Sequence, residues 1–387
     1  MKKILFFLLS SICLSVHSQN PGIMCFPNQQ GNQPQPGGNI QPKSINDLKI
    51  VRINFHFMLK TNGTGNFNEV TDGDGRYYSG YDYARTHVSY MNSMCNQNFH
   101  LNIPTGNVMF VPYKKYRFVL DAVYFWRNDA TYNFQTINYG TQGKDKDSVM
   151  NIFLSYGTQS SGGYASDLST SSHIKYTETT SYWYNYKGSM AGGGDGGAWP
   201  QATTTCHELG HLLSLSHTVQ YNGSAPCPTG CGGIYGNAID YTCDDGCADT
   251  PTAWEIMQAN NCTTHPACGW SGGLGGWTDC SNNLMDYTGD YALSSCQIGK
   301  IHSALENGLR SYLSCAAVSK DMNFPDLGYP KLSYFGKNIV VGSAVNFADI
   351  TNQEKIAMYY SSSVELNNFE VRADSEFEVI LEGVCGF

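Results

Sequence analysis

The segment HELGHLLSLSH, from His207 to His217, holds three histidines and one glutamate at a spacing that can bind and use a metal ion. His207 and His211 are four residues apart, so on a helix they project from one face toward a single ion. Imidazole nitrogens are ordinary zinc ligands, and zinc held by three of them keeps an open position for water. The pattern therefore predicts a hydrolytic zinc site in which Glu208, beside the first histidine, is the general base.

The third zinc ligand separates the classes of zinc hydrolase, and His217 is the candidate that the spacing favours. For its imidazole to reach the ion, the helix must end near Ser214 and the chain must reverse there, which needs a positive φ. A serine in that conformation costs about 1 kcal/mol, which is small beside the free energy of zinc binding. The alternative is a zinc hydrolase of another class, for example an aminopeptidase, in which a carboxylate such as Glu255 replaces His217.

A helix from about Ala202 to Leu215 is expected to carry the histidines, after a glycine-rich loop at 188–197. Its N-terminal cap is expected to be one of three consecutive threonines, Thr203, Thr204 and Thr205. A further helix is expected from Gln297 to Leu313, because four apolar residues share one of its faces. These are Ile298, Ile301, Leu305 and Leu309.

The region before the histidines has the pattern of an α/β fold. Apolar residues alternate along a predicted strand at Val51, Ile53, Phe55, Phe57 and Leu59. A helix follows, with Ala84, Val88, Met91 and Cys95 at helical spacing, and then two strands at 118–125 and 149–155. After about Ser319 the pattern is alternation again, at Val364 and Leu366, at Phe369, Val371 and Ala373, and at Phe377, Val379 and Leu381.

These patterns predict an α/β (α+β) catalytic domain with a twisted mixed sheet, an active-site helix and an irregular, disulfide-rich lower subdomain, followed by a small all-β module. The zinc is expected on the floor of a shallow cleft between the two parts of the catalytic domain. The domain bounds are placed at 45–318 for the catalytic domain and 319–387 for the C-terminal module. Residues 19–44, rich in Pro, Gln, Asn and Gly, are interpreted as a linker or a short pro-segment.

The N-terminus has the features of a secretory signal peptide over 1–18, with Lys2 and Lys3 before an apolar run that is too short to span a bilayer. We therefore expect a secreted, extracellular protein without membrane insertion. Thirteen of the 14 cysteines follow this segment and favour disulfides, including the CxxxC pairs Cys227/Cys231 and Cys243/Cys247, over a zinc ribbon. Cys206 is a candidate for a buried free thiol. The net charge of −9 leaves no basic stripe, so nucleic acid is not an expected partner.

With His217 included, the motif resembles that of the metzincins, a clan of zinc endopeptidases, although Ser214 stands where the clan has glycine. The clan also has a methionine in a tight turn beneath the zinc, and the segment from Asn282 to Tyr287 supplies one at Met285. The sequence NxMDY is similar to the pappalysin, or cytophagalysin, family. Asp249-Thr250-Pro251 also matches it.

The resemblance implies further roles for particular residues. Met285 would form the hydrophobic floor of the zinc site, and the Tyr287 hydroxyl would approach the metal or stabilise the oxyanion. Gly162, Gly163, Tyr164 and Ala165 look like the family's edge strand, against which substrate backbones pair. Calcium is a possible second cofactor, and the residues that would bind it are Asp244, Asp245 and Asp249. Cys25 offers a thiolate that would block the zinc in a zymogen, or else a plain disulfide.

The sequence therefore predicts a secreted zinc-dependent endopeptidase that acts on proteins or peptides. The alternative from another class is a catalytically silent zinc-containing adhesin or glycan-binding protein that uses the β module for its contacts. Glu208 favours the enzyme, because a purely structural zinc site needs no base.

Overall fold

The computed structural model describes the chain from Leu48 to Leu381 in segments. They are residues 48–72, 78–101, 110–133, 139–157, 164–165, 173–179, 198–216, 229–231, 235–236, 247, 249–250, 282–285, 290–317, 322–324, 331–341, 348–350, 355–366, 369–371 and 375–381.

The centre of the fold is a five-stranded mixed sheet, built from β1 (Lys49–Leu59), β2 (Tyr116–Arg127), β3 (Met150–Gly157), β4 (Tyr164–Ala165) and β5 (His173–Thr179). The strand order is β2-β1-β3-β5-β4. The first four strands in that order are parallel, and β4 pairs antiparallel with β5 at the edge. The mixed sheet and the first three of these strands agree with the sequence prediction.

Strand β1 is buried along both faces, so the polar residues between its apolar ones are not exposed to water. Two of those polar side chains pair with neighbouring strands instead. The Nε2 atom of His56 lies 2.7 Å from Oδ1 of Asn151, and the Arg52 guanidinium pairs with Asp121 at 3.0 Å. Alternation therefore predicted the strand correctly but not its environment, because buried polar groups are tolerated when they are hydrogen-bonded.

Two helices pack together against this sheet, α1 (Gly80–Asn96) and, after the short α2 (Asp129–Tyr132) and α3 (Tyr139–Gln142), α4 (Ala198–Leu212). Helix α1 begins at a capping box in which Ser79 and Asp82 exchange hydrogen bonds. The predicted helical residues Ala84, Val88 and Met91 are all buried in the core.

Helix α4 begins four residues before the predicted start, so the prediction of a threonine cap is wrong. Thr203, Thr204 and Thr205 are interior residues and are buried. Two of their hydroxyls contact α1 instead: Thr205 Oγ1 lies 2.9 Å from Nε2 of His87, and Thr203 Oγ1 lies 3.8 Å from Sδ of Met94. Pro200 is tolerated because it lies in the first turn, where the missing N–H has no intrahelical partner to lose.

The predicted helix 297–313 is shorter than expected and is broken into three pieces. Helix α5 spans Ser295–Glu306, a 3-10 turn spans Arg310–Tyr312 and helix α6 spans Ser314–Ala317. Asn307 caps α5 and Gly308 follows it, and both residue types end helices readily. Ile298, Ile301, Leu305 and Leu309 are nevertheless all buried, so the apolar pattern predicted their packing correctly.

The described segments after residue 317 contain six strands, which follow the two-stranded pair β6 (Thr229–Cys231) and β7 (Tyr235–Gly236). These six strands are β8 (Met322–Phe324), β9 (Ser333–Val341), β10 (Ala348–Ile350), β11 (Lys355–Leu366), β12 (Phe369–Val371) and β13 (Glu376–Leu381). Strands β13-β11-β9-β8 form a parallel sheet, and β10 pairs in parallel with β12.

The C-terminal sheet is tied to the edge strand β2 of the central sheet. The N–H of Leu332 donates to the carbonyl of Asp121 at 2.7 Å, and Lys331 pairs with the buried Asp121 carboxylate at 3.2 Å. The guanidinium of Arg52 lies over the ring of Phe335, 4.6 Å from its centre.

None of the helices in the described segments has the length and apolar character needed to cross a membrane.

Candidate metal centre

The imidazoles of His207 and His211 lie side by side on α4, with ring centres 4.9 Å apart. Each is held by a backbone carbonyl at Nδ1: His207 by Leu284 at 2.6 Å and His211 by Leu215 at 2.9 Å. A carbonyl oxygen only accepts, so Nδ1 carries the proton in both rings and Nε2 carries the lone pair. Metal-binding histidines usually have such a partner at one ring nitrogen, and the other nitrogen, here Nε2, is the one that would bind an ion.

Burial keeps both imidazoles in the neutral form that a metal requires. It lowers the pKa of His207 to about 3, with the neighbouring His211 adding to the effect and the hydrogen bond to Leu284 opposing it. Burial likewise lowers the pKa of His211 to about 4, and the hydrogen bond to Leu215 opposes it. The donor set therefore fits zinc, because two neutral nitrogens are available without the loss of a proton.

The end of helix α4 positions the carbonyl of Leu215. Ser214 has φ +72°, its N–H donates to the carbonyl of His211 at 3.1 Å, and the N–H of Leu215 donates to the carbonyl of Gly210 at 2.9 Å. This is a Schellman motif, in which the chain reverses through one left-handed residue. The helix therefore ends near Ser214, as the sequence predicted. The reversal of the chain brings the Leu215 carbonyl within hydrogen-bonding distance of the His211 ring.

The left-handed Ser214 predicts a stability gain from glycine. Ser214→Gly removes a Cβ penalty of about 1–2 kcal/mol, partly offset by the greater flexibility of unfolded glycine. We expect the free energy of unfolding of the zinc-free protein to rise by up to about 1 kcal/mol in urea denaturation. Ser214→Ala is the control, since it keeps the Cβ and should show no gain. Equal stability of the glycine and alanine variants would contradict the prediction.

Met285 lies directly beneath α4 and is fully buried. A Cβ added at Gly210 would lie 2.6 Å from its Sδ and 3.3 Å from its Cε. Because Gly210, between the two histidines, has no side chain, helix α4 can pack closely against Met285. The loop that carries Met285 also carries Leu284, whose carbonyl orients His207.

We expect Gly210→Ala to destabilise the protein by about 1–3 kcal/mol through overpacking against Met285. In a Met285→Ala background the same change should become neutral or stabilising, because alanine forms helix better than glycine by about 1 kcal/mol. Urea denaturation of the four proteins in this cycle measures the coupling. An equal effect of Gly210→Ala in both backgrounds would refute the contact.

Residues 125–306 match the model of the family Peptidase_M43, described as pregnancy-associated plasma protein-A. This range contains the histidine motif, Met285 and α5. This part of the chain matches the pappalysin family of zinc metalloproteases. It is accordingly a metalloendopeptidase with a zinc cofactor. No curated protein sequence matches it.

Among solved structures, this chain is similar to mirolysin. Mirolysin in complex with compound 9 is 14% identical with a TM-score of 0.40, and the match covers 69% of this chain and 96% of mirolysin. Mature mirolysin of Tannerella forsythia with a cleaved peptide is 14% identical with a TM-score of 0.38, covering 68% and 95%. These TM-scores are low, so the family assignment rests on the family model and on the motif residues.

Several residues singled out in the sequence lie outside the described segments. They include Cys25, Gly162, Gly163, His217, Cys227, Cys243, Asp244, Asp245, Glu255 and Tyr287. Of the others, Glu208 is 2% exposed on α4 between the two histidines. Tyr164 and Ala165 form β4, which pairs antiparallel with β5 and comes last in the order of the described strands of the central sheet.

Asp249 caps a helix in this structure. Its Oδ2 accepts from the hydroxyl of Ser295 and from the N–H of Cys296, both at 2.9 Å. The prediction that CxxxC spacing pairs Cys243 with Cys247 is wrong, because Cys247 is bonded to Cys296 with a Cα–Cα distance of 5.6 Å. Short spacing in sequence does not decide a pairing when a distant loop is brought closer by the fold.

Cys206, immediately before His207, is a buried free thiol as the sequence suggested, and Cys95 on α1 is a second one. The orienting carbonyls of Leu215 and Leu284 were not found from the sequence, since backbone groups carry no residue-type signal. Gly210 could have been recognised from the sequence as a site of close packing. Glycine inside a helix costs about 1 kcal/mol and therefore often marks a point where another residue approaches the helix backbone closely.

Proposed function

We propose that the protein is a secreted endopeptidase that hydrolyses internal peptide bonds, with zinc held by His207, His211 and His217 and with Glu208 as the general base. The observation that carries the proposal is the matched orientation of His207 and His211. Both rings donate from Nδ1 to a backbone carbonyl, so both carry the lone pair that can bind a metal on Nε2. The positive φ of Ser214 supports His217 as the third ligand, because it turns the chain back shortly before that residue.

When bound, zinc supplies a Lewis acid that polarises the scissile carbonyl and lowers the pKa of water. The Glu208 carboxylate accepts the proton of the attacking water at one of its oxygens and then gives it to the nitrogen of the leaving amine. Its burial beside the histidines suits this role, since a carboxylate shielded from bulk water interacts more strongly with the charges around it. The Tyr287 hydroxyl is proposed to stabilise the oxyanion, with Met285 as the floor of the site.

The edge strand β4 is proposed to bind substrate. Among the described strands, Tyr164 and Ala165 pair with β5 alone, and an extended peptide can add to the edge of a sheet by backbone hydrogen bonds. A protease that binds the substrate backbone in this way cleaves inside a chain, because residues on both sides of the scissile bond contribute. Calcium at Asp244, Asp245 and Asp249 stays a proposal, as does a separate all-β module after residue 319.

The test is digestion of a mixed peptide library by purified protein with zinc, followed by mass spectrometry of the fragments. We expect cuts at internal bonds that stop with a zinc chelator and return when zinc is restored. Release of single terminal residues would support the aminopeptidase class instead. Intact peptides at full zinc occupancy would support the binding-protein alternative.

A further inference from the structure

Two buried amides face each other beneath the turn that carries Met285. The Nδ2 atom of Asn283 donates to Oε1 of Gln297 at 2.8 Å, and Nε2 of Gln297 donates back to Oδ1 of Asn283 at 3.3 Å. Asn283 is fully buried, and Gln297 is 1% exposed. A reciprocal amide pair fixes the orientation of both side chains, because flipping either would set two donors or two acceptors against each other.

Asn283 connects the amide pair to the metal centre through hydrogen bonds. Its Oδ1 also accepts the N–H of Met285 at 2.8 Å, which holds the backbone of the turn. The residue between them, Leu284, presents its carbonyl to Nδ1 of His207. Gln297 therefore lies three hydrogen bonds from a proposed zinc ligand, through bonds made by neighbouring residues of one turn.

The position of Gln297 is fixed by contacts in the first turn of α5. Its own N–H donates to the hydroxyl of Ser294 at 3.1 Å, and its Oε1 accepts the N–H of Ser294 at 3.0 Å, which forms the capping box of α5. The adjacent Cys296 is held by Asp249 and by the disulfide to Cys247. The first turn of α5 is thus anchored twice, and Gln297 extends from it toward the turn of Met285.

We infer that Gln297 is a positioning residue for the zinc site: through Asn283 it fixes the Leu284 carbonyl, which orients His207. This inference rests on the proposed zinc-binding role of His207. Outer contacts of this kind set the direction of the imidazole, and their loss typically weakens metal binding by about 10–100-fold. A glutamine that merely started α5 would affect stability but not the affinity for zinc.

The experiment compares zinc affinities by competition with a chromophoric chelator, using the metal-free full chain. Gln297→Met keeps the size of the side chain but removes all its hydrogen bonds, and we expect the zinc Kd to rise about 10–100-fold. Gln297→Glu keeps the acceptor for Asn283 and Ser294 but sets a carboxylate oxygen against Oδ1 of Asn283, so it should weaken zinc binding as well. Ser294→Ala is the matched control, because it weakens the capping box, leaves the amide pair in place and should keep the wild-type Kd.

Wild-type zinc affinity in Gln297→Met would overturn the inference, and so would equal losses of affinity in Gln297→Met and Ser294→Ala. If Gln297→Met does not fold, Gln297→Asn replaces it: its amide is one carbon shorter, and a Kd unchanged from wild type would refute the role equally. Failure of the proposed function looks different, since the wild-type protein itself would then bind no zinc or cleave no peptide.

Discussion

Glu208→Gln is expected to lower kcat/KM for peptide hydrolysis by about 10²–10⁴-fold while the protein keeps its zinc. Glutamine has nearly the shape of glutamate, so the buried site on α4 stays filled, but its amide cannot take the proton of the attacking water. The loss should appear in kcat rather than in KM, because the base acts in the transition state. Steady-state kinetics on a peptide from the library, with zinc content determined in parallel, measures both quantities.

The control for this prediction is another buried polar residue of the same helix. Thr203 faces α1, with its hydroxyl 3.8 Å from Sδ of Met94, and does not belong to the metal centre. Thr203→Val should therefore leave kcat/KM near the wild-type value. Substantial activity in Glu208→Gln would mean that another group is the base.

His207→Ala and His211→Ala are each expected to abolish zinc retention and to reduce hydrolysis to background. Each change removes one of two oriented nitrogens and leaves zinc with too few protein ligands. The loss is also visible without activity. Zinc at about 1,000 times its Kd stabilises the wild-type protein by about 4 kcal/mol, and this gain should vanish in both variants. Thermal unfolding with and without zinc gives the result.

His302 provides the matched control for the ligand variants. It is also buried and has Nε2 2.9 Å from the carbonyl of Lys114, but it lies on α5 away from the two ligands. His302→Gln should lower the Tm yet keep the stabilisation by zinc. If zinc still stabilised His207→Ala and His211→Ala to the wild-type extent, the metal would have to bind elsewhere.

The elements that carry the site could be predicted because each one shows its own periodicity. Helix α1 has Ala84, Val88 and Met91 on one buried face, and β1 has an unbroken alternation of large apolar residues. The reversal at Ser214 followed from the requirement that His217 return to the metal. Local patterns and ligand spacing are properties of the sequence itself, so they indicate these elements directly.

The contacts that complete the site could not be predicted, because they join distant segments. The threonines of α4 looked like a cap since their partner, His87 on α1, is 118 residues away from Thr205. The Leu284 carbonyl reaches His207 across 77 residues. Strand pairing was equally hidden: alternation indicated β11, β12 and β13, but nothing in the period-two pattern shows that β11 pairs in parallel with both β9 and β13.

The start of α5 has a local signal that the apolar spacing alone does not reveal. Ser294 is followed three residues later by Gln297, the pattern of a capping box, which places the start of the helix at Ser295. The same pattern points to the glutamine that we infer to position the metal site.

The central claim is that one zinc ion bonds to Nε2 of His207 and His211, with His217 as the third protein ligand. A crystal structure of the zinc-loaded protein, with anomalous data collected on both sides of the zinc absorption edge, tests it most directly. The account predicts a single zinc peak about 2.0–2.1 Å from each Nε2, while both Nδ1 atoms keep their carbonyl partners. A zinc bonded through Nδ1, or a peak elsewhere with these two histidines unligated, would contradict it.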